Sequence, residues 1–581
     1  MNHSLRLALL CCSTQLAFMP LAFGQLTIDQ KTADFGALAN LYTKRYGPYE
    51  WKRDALHFDL MEVAPWLSKV QATKDDLDFY EVLSEYVASL NDAHASYLVP
   101  STFVARLNFG VDLYGDKLLV DTINRQRLPA NEFGFQTGYE LVSIDGVDAQ
   151  KILDGLLRYG AAGNPRSTRR YATLLLTTRS QGVMPHATAV PEISTVTFRR
   201  PDGATEQHRI PWTKTGLPLA SVGRYQTPLA NAARPMPGRR RNPDGPNPGG
   251  PAADIDPPYM GLLRELQNCN LPDRGFLGFG ALAPVFAPSL PAGFILRLGR
   301  LTSDPFYSGV FEVDGFKIGY IRIPSFQPVD SLTALTLFRT EITFFQANTD
   351  GLVVDLMRDF GGSSGYANQI LNYLMPEQWR SIPFEMRATS ELAVSISTAL
   401  TQAQALSAPK EVIDLFQSIK DAVLAANHQS RGRTAPIPLD DSNIEREPLL
   451  DSRGAKLAYT KPLILLVDEM TASAAELVAA TIQDNRRGPL IGWRTMGAGG
   501  TVETREAGTY SLGAASVTRG LMIRKENIAT SEYPTAPYIE NIGVRPDIPI
   551  DYMTRENLLQ NGRPFVDAWV SAIVAEIGKG K

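Results

Sequence analysis

The sequence predicts a multidomain α/β protein: a helical N-terminal region, a β-rich second domain and a strand-helix core. Three observations predict it. The length of 581 residues divides into several units at about 100–200 residues per domain. The spacing of apolar residues changes along the chain from helical, to short strands with turn signals, to alternating strands and helices. Hydrophobic residues at 44% and charged residues at 20% are globular proportions and exclude wholesale disorder. With 57 Lys+Arg against 61 Asp+Glu the formal net charge is −4, so there is no basic field and no nucleic-acid partner is expected.

Residues 1–24 read as a signal peptide. The stretch up to Arg6 is charged, residues 7–23 are largely apolar, and Ala22-Phe23-Gly24 is a small-x-small site before Gln25. An uncleaved anchor is disfavoured because Pro20 interrupts the stretch and a span needs about 20 apolar residues. No later segment is long or apolar enough, so no membrane span is expected after signal removal, and the chain is expected to be exported, either periplasmic or secreted. Cys11 and Cys12 lie inside the signal, and Ala8-Leu9-Leu10 lacks the small residue of a lipoprotein signal. That leaves Cys269 alone, unable to form an internal disulfide, so stability must come from the core.

Residues 25–104 form the N-terminal helical region, with Leu83, Tyr86, Val87 and Leu90 at helical spacing. Across 105–215 short strands follow: Phe109-Gly110-Val111-Asp112-Leu113, Lys117-Leu118-Leu119-Val120 and Glu140-Leu141-Val142-Ser143-Ile144, the last closed by Asp145-Gly146. The segment from Gly138 to Gly146 resembles the strand-turn signature of PDZ domains, which bind extended peptide ends by strand addition; a generic β-rich domain with an Asp-Gly turn is the plainer alternative. Leu153, Leu156 and Leu157 on one face predict a domain helix, followed by an inserted one.

Residues 228–258 are a Pro/Gly-rich linker: from 234 to 258 eight of 25 residues are Pro and four are Gly, with Arg239-Arg240-Arg241 near the start. Residues 259–581 form the core. Val310-Phe311-Glu312-Val313, Asp314-Gly315 and the run from Lys317 to Ile323 predict a hairpin. Gly351-Leu352-Val353-Val354-Asp355-Leu356 and Pro462-Leu463-Ile464-Leu465-Leu466-Val467-Asp468 predict buried strands, each followed by a helix, and Pro489-Leu490-Ile491-Gly492 a further short strand. Such units imply right-handed crossovers in a largely parallel sheet. Residues 391–452 read as an insertion, helical and then polar.

A serine just after a buried strand and at a helix N-terminus gains backbone N–H groups for an oxyanion and a favourable dipole. Gly361-Gly362-Ser363-Ser364-Gly365 formally matches the G-x-S-x-G elbow, but the only later histidine is His428, in the insertion. The second candidate is Ser473 in Thr471-Ala472-Ser473-Ala474-Ala475-Glu476, where Ser473 and Glu476 also read as a capping box.

Three separated blocks carry a resemblance: Gly351-Leu352-Val353-Val354-Asp355-Leu356-Met357-Arg358-Asp359-Phe360-Gly361-Gly362, the Ser473 segment continuing to Gln483-Asp484-Asn485, and Ile491-Gly492-Trp493-Arg494-Thr495-Met496-Gly497-Ala498-Gly499-Gly500. Together they resemble peptidase family S41, the C-terminal processing or tail-specific serine peptidases, whose ClpP/crotonase-like core is implied here. In the processing branch a lysine follows the nucleophile by about 25 residues; Ala498 stands there, and Val502 stands where that branch has a glutamine. The Ser-Lys dyad is absent. Without a base a serine hydroxyl is a weak nucleophile. Asn91-Asp92-Ala93-His94-Ala95-Ser96-Tyr97 resembles the histidine motif of the tricorn-like branch and the chlamydial protease-like activity factor, and Tyr538-Ile539-Glu540-Asn541-Ile542-Gly543-Val544 resembles its glutamate block.

The resemblance implies an exported serine endopeptidase acting on polypeptide substrates through Ser473, His94 and Glu540, with an oxyanion hole from Ala474 and either Gly361 or Gly362. It allows autocleavage or zymogen control, with the linker as the place to cut, and leaves the oligomeric state open, a homo-oligomer included. No HExxH, CxxC or clustered carboxylate spacing occurs, so no metal and no cofactor is expected. Two rivals remain open: a non-catalytic ligand- or peptide-binding protein on the same fold, and an acyl hydrolase working through Ser363.

Overall fold

The computed structural model describes residues 25–219, 257–271 and 279–579. The segment read as a signal, nearly all of the linker with its three arginines, and most of the glycine-rich stretch at 275–280 lie outside them.

The N-terminal region is four helices, Ile28–Arg45, Tyr49–Leu56, Ala64–Gln71 and Asp76–Ala88. The first begins at a capping box formed by Thr27 and Gln30, which satisfies two amides that a helix start leaves unpaired. Phe35, Leu38, Tyr42, Phe79, Leu83 and Tyr86 form their core, and Ala515 and Val517 from a distant strand join it. The helical region is therefore docked on the core domain. Buried Asp34 reinforces the dock, its carboxylate accepting from the amides of Thr509 at 2.7 Å and Ser511 at 2.6 Å.

The expected strands of the second domain appear as Phe109–Tyr114, Lys117–Ile123 and Glu140–Ile144, joined by Ile193–Arg199 and Thr205–Pro211 in an antiparallel sheet. Phe109, Phe135 and Phe198 fill its centre. The domain helix is Ala149–Leu156, and the inserted helix is Pro165–Thr177.

The inserted helix bridges to the core through buried charge. Arg170 donates to both carboxylate oxygens of Asp112 and to the Tyr552 hydroxyl, and lies 3.1 Å from Glu469. Arg166 bonds Glu469 at 2.7 Å and both oxygens of Asp551 at 2.9 and 2.6 Å. Arg170, Asp112 and Glu469 are fully buried.

In the core a seven-stranded sheet runs in the order Ile295–Leu298, Tyr307–Val313, Phe316–Arg322, Gly351–Asp355, Leu463–Val467, Leu490–Gly492 and Ile548–Pro549. The first three pair antiparallel and the rest parallel. Alternate residues face opposite layers, as strand pleating requires. Leu352, Val354, Leu465 and Val467 pack on the side of the helices Ser331–Asn348, Ser364–Leu371 and Ala474–Asp484. Val353, Ile464, Leu466 and Ile491 face the C-terminal helix Arg563–Lys579 through Trp569 and Ile573. The region read as an insertion begins with two packed helices, Ser390–Ala405 and Lys410–His428.

A second sheet is built around the strand Ala514–Ile528, which pairs with Ser96–Leu98, Phe384–Met386, Gly500–Glu506 and Ala536–Tyr538. It joins the end of the N-terminal region to the core. Among the described residues no helix is long and apolar enough to cross a membrane.

Candidate active site

Ser473 directly precedes the helix Ala474–Asp484, just beyond the C-terminal end of the central strand Leu463–Val467. Its backbone has φ 59° and ψ −114°, a strained conformation for a residue with a Cβ. One carboxylate holds it there. Glu476 accepts from the amides of Ser473 (3.0 Å) and Ala498 (2.7 Å) on one oxygen, and from the Gly497 amide (2.7 Å) and Thr495 hydroxyl (2.6 Å) on the other. The capping glutamate thus also fixes the loop 495–498, where the processing branch has its lysine. Burial pushes this carboxyl up to about 7, against the pull of those four donors.

His94 sits in the turn between the helix Asp76–Ala88 and the strand Ser96–Leu98. Ser96 is in register with Ser516 on the long strand, so strand pairing carries the histidine into the core. Its Nε2 lies 2.7 Å from Ser473 Oγ, across 379 positions of sequence. Asp92, two residues earlier, accepts from the His94 amide at 2.8 Å, the Tyr46 hydroxyl at 2.7 Å and the Thr518 hydroxyl at 2.8 Å.

Glu540 lies between the strands Ala536–Tyr538 and Ile548–Pro549 and is fully buried. It accepts from the Gly499 amide at 3.1 Å and from the Lys52 ammonium. One oxygen each of Asp92 and Glu540 and a ring nitrogen of His94 lie within 4.8 Å of one another. Burial, and then the charge of Asp92, push Glu540 up to about 8 despite Lys52 and the Gly499 amide. Burial also works to raise Asp92, but Lys52, His94 and the two hydroxyls outweigh it and hold this carboxyl below the ordinary carboxylate range. The cluster is a charge network with its own internal cation, and both carboxylates accept from protein donors.

Sequence reasoning missed Asp92 and Lys52. Asp92 stands inside the quoted histidine motif, two residues before His94, where its acidity was a usable signal. Lys52 had none, because it reads as an ordinary polar position of a short helix.

Gly361 and Gly362 have φ 95° and 152°, values that favour glycine. A Cβ on Gly361 would lie 2.8 Å from Ser473 Cβ and 2.9 Å from the Ala474 nitrogen, and one on Gly362 only 2.1 Å from the carbonyl carbon of Phe326. The Gly361 amide donates to Asp359 at 2.8 Å. Phe326 takes the Gly361 carbonyl and the Ser363 amide on one edge of this strand, so the N–H of Gly362 turns to the opposite edge. That edge is occupied by the chain itself: Asn268–Asn270 pairs antiparallel with Gly361–Ser363, with Cys269 opposite Gly362. The Cys269 carbonyl oxygen would lie 2.7 Å from the same Gly361 Cβ position.

Ser363 caps the helix Ser364–Leu371 by accepting from the Tyr366 amide at 3.3 Å. His428 is exposed at the end of its inserted helix. His57 and His186 are exposed, and half-buried His208 pairs with Glu206 at 2.8 Å.

Comparison with known proteins agrees with this architecture. Residues 317–550 match the model of peptidase family S41, and residues 104–218 match a PDZ domain. A protein of Chlamydia pneumoniae is 24% identical over 95% of this chain and 91% of its own length. A carboxy-terminal-processing protease of Bartonella bacilliformis is 30% identical over 25% of this chain and 29% of its own. A structure of mature CPAF complexed with lactacystin superposes with a TM-score of 0.71 at 22% identity, covering 95% of this chain and 99% of that one, and so shares the fold. The chain carries a PDZ domain beside a strand-helix core that holds a peptidase S41 domain, and it is a serine-type peptidase.

Proposed function

We propose that the protein is an exported serine endopeptidase in which Ser473, His94 and Glu540 act together. The 2.7 Å contact between His94 Nε2 and Ser473 Oγ carries this reading, because it joins a base to a serine held in a strained turn at a helix start. Ser473 Oγ attacks the scissile carbonyl while His94 takes its proton, and His94 returns that proton to the leaving amine. Glu540, beside the imidazole, stabilises the imidazolium formed between those steps. The developing oxyanion is held by the Ala474 amide and that of Gly362, since the Gly361 amide is engaged by Asp359.

An extended polypeptide substrate adds as a strand along Gly361–Ser363. This reading is supported by the pairing of Asn268–Asn270 on that edge. The same pairing makes this conformation a closed precursor; cleavage within 228–258 frees the N-terminal side of the segment, which stays joined to the core on its other side. Export rests on the sequence of residues 1–24 and predicts a mature N-terminus at Gln25.

The test is fluorophosphonate labelling of the chain from Gln25 to Lys581, intact and after cleavage within the linker, read by mass spectrometry. Labelling at Ser473 that is lost in both Ser473→Ala and His94→Ala is expected. A folded, cleaved chain that takes up no label would move the weight to a non-catalytic binding role.

A further inference from the structure

We propose that Lys52 is a positioning residue of this site: its ammonium, supplied by the N-terminal helical region, favours ionisation of the Glu540 carboxyl and holds it in place beside His94. This rests on the reading of Ser473, His94 and Glu540 as the working groups.

Lys52 lies in the helix Tyr49–Leu56 and is fully buried. Its ammonium donates to Glu540 Oε1, to Asn541 Oδ1 at 2.6 Å and to the Asn91 carbonyl at 3.0 Å, which uses all three of its protons. Neighbouring Trp51 donates to the same Asn541 oxygen at 3.0 Å. Asn541 in turn donates to the carbonyls of Asn91 at 2.8 Å and Gly163 at 2.7 Å. The Lys52 side chain therefore joins the turn that presents His94 to the loop that presents Glu540.

An unpaired buried ammonium is costly, so its placement calls for a partner, and the partner set explains it. Asp92 and Glu540 approach the same imidazole, and two carboxylates this close in a dry site do not both ionise without a cation. With Lys52 present, the three groups sum to one negative charge facing His94 once Glu540 ionises, the charge that an imidazolium needs. Tyr46, committed to Asp92, and Tyr533 are the other titratable groups that act on Glu540 or sense it. Lys52 is thus no substitute for the missing processing-branch lysine: it addresses the carboxylate, where that lysine would address the serine.

The closing experiment follows melting temperature and fluorophosphonate labelling from about pH 5 to 9 in wild type, Lys52→Met, Glu540→Gln and the double variant. In Lys52→Met the folded Glu540 must stay protonated. A carboxyl raised in the folded state stabilises below its ordinary value and loses that contribution as pH rises. Melting temperature should therefore go on falling above about pH 8, where this contribution levels off in wild type. Labelling at pH 7 should slow at least about tenfold, with its half-point moved up by about one unit. Unchanged slope and half-point would overturn the proposal. Should Lys52→Met fail to fold, the double variant decides: it should melt no lower than Glu540→Gln at pH 7, and a melt lower by more than about 3 °C would overturn it. Melting slopes need no activity, so a linker-cleaved wild type that stays unlabelled sinks the triad reading while the Lys52–Glu540 link is still judged.

Discussion

Arg170 joins the PDZ domain to the core, and replacing it by methionine is a sharp test of that junction. Methionine fills a similar volume but removes the guanidinium from between Asp112 and Glu469, both fully buried. The only other hydrogen bond that reaches the Asp112 carboxylate in the described structure comes from the Leu113 amide, at 2.7 Å. Breaking one side of such a pair costs about 3–5 kcal/mol, chiefly because the remaining charge, here Asp112, is stranded, while Glu469 keeps its bond to Arg166. At about 1.4 kcal/mol per decade, local opening at the junction becomes roughly 10²- to 4 × 10³-fold more frequent. Hydrogen exchange read by mass spectrometry should register that increase in Phe109–Tyr114 and Pro165–Thr177, with little change in Leu463–Val467. Adding Asp112→Asn should recover part of the loss, since one stranded charge is removed. Exchange in those two segments within about threefold of wild type would refute the reasoning, because the carboxylates would then have found water without opening the interface.

Other substitutions probe the site and its acid limit. Gly362→Ala should leave labelling of Ser473 at least about 10²-fold slower, as expected for loss of an oxyanion donor, because its Cβ would sit 2.1 Å from the Phe326 carbonyl carbon; labelling at the wild-type rate would contradict the backbone described. Ser363→Ala should cost about 1 kcal/mol in melting, as a lost helix cap does, and keep labelling at Ser473, whereas complete loss of label would favour the acyl-hydrolase rival. Asp551, with burial opposing, is held below its ordinary range mainly by Arg166, so its contribution is present above the unfolded carboxyl value near 3.9 and lost as pH falls below it. Arg166→Met should therefore lose less melting temperature than wild type between about pH 5 and 3, and an equal loss would deny the pair its role.

Much of the core was legible because its signals are local. The apolar runs at 351–356 and 462–468 have the length and the Gly or Pro flank of buried strands, and both appear where the pattern put them. The hairpin around Asp314-Gly315 likewise follows from its turn residues. The strand Ala514–Ile528 was not foreseen, because its first eleven residues are buried on both faces and so show no two-residue alternation. The three-residue pairing of Asn268–Asn270 with Gly361–Ser363 is too short to leave a period. Proximity of His94 to Ser473 came from resemblance to a family, since nothing local to either residue specifies a contact across 379 positions. Lys52 was invisible for the opposite reason: a buried cation is recognised only by the carboxylate opposite it.

The strand Asn268–Asn270 sets a competition that concentration alone does not settle. A segment tethered within the same chain faces its groove at an effective concentration in the millimolar range for short flexible linkers. A free polypeptide must exceed that local supply, so its apparent affinity falls by the fraction of molecules in which the groove is open. One cut within 228–258 leaves the strand joined to the core on its C-terminal side, so only cuts on both sides turn a fixed neighbour into a dilute one and remove the advantage without any contact being changed. Cys269 provides the gauge, because it is the one cysteine beyond position 12 and its thiol is buried at the centre of the seated strand. The rate at which a thiol reagent finds it measures how often the chain lets go of its own active-site edge.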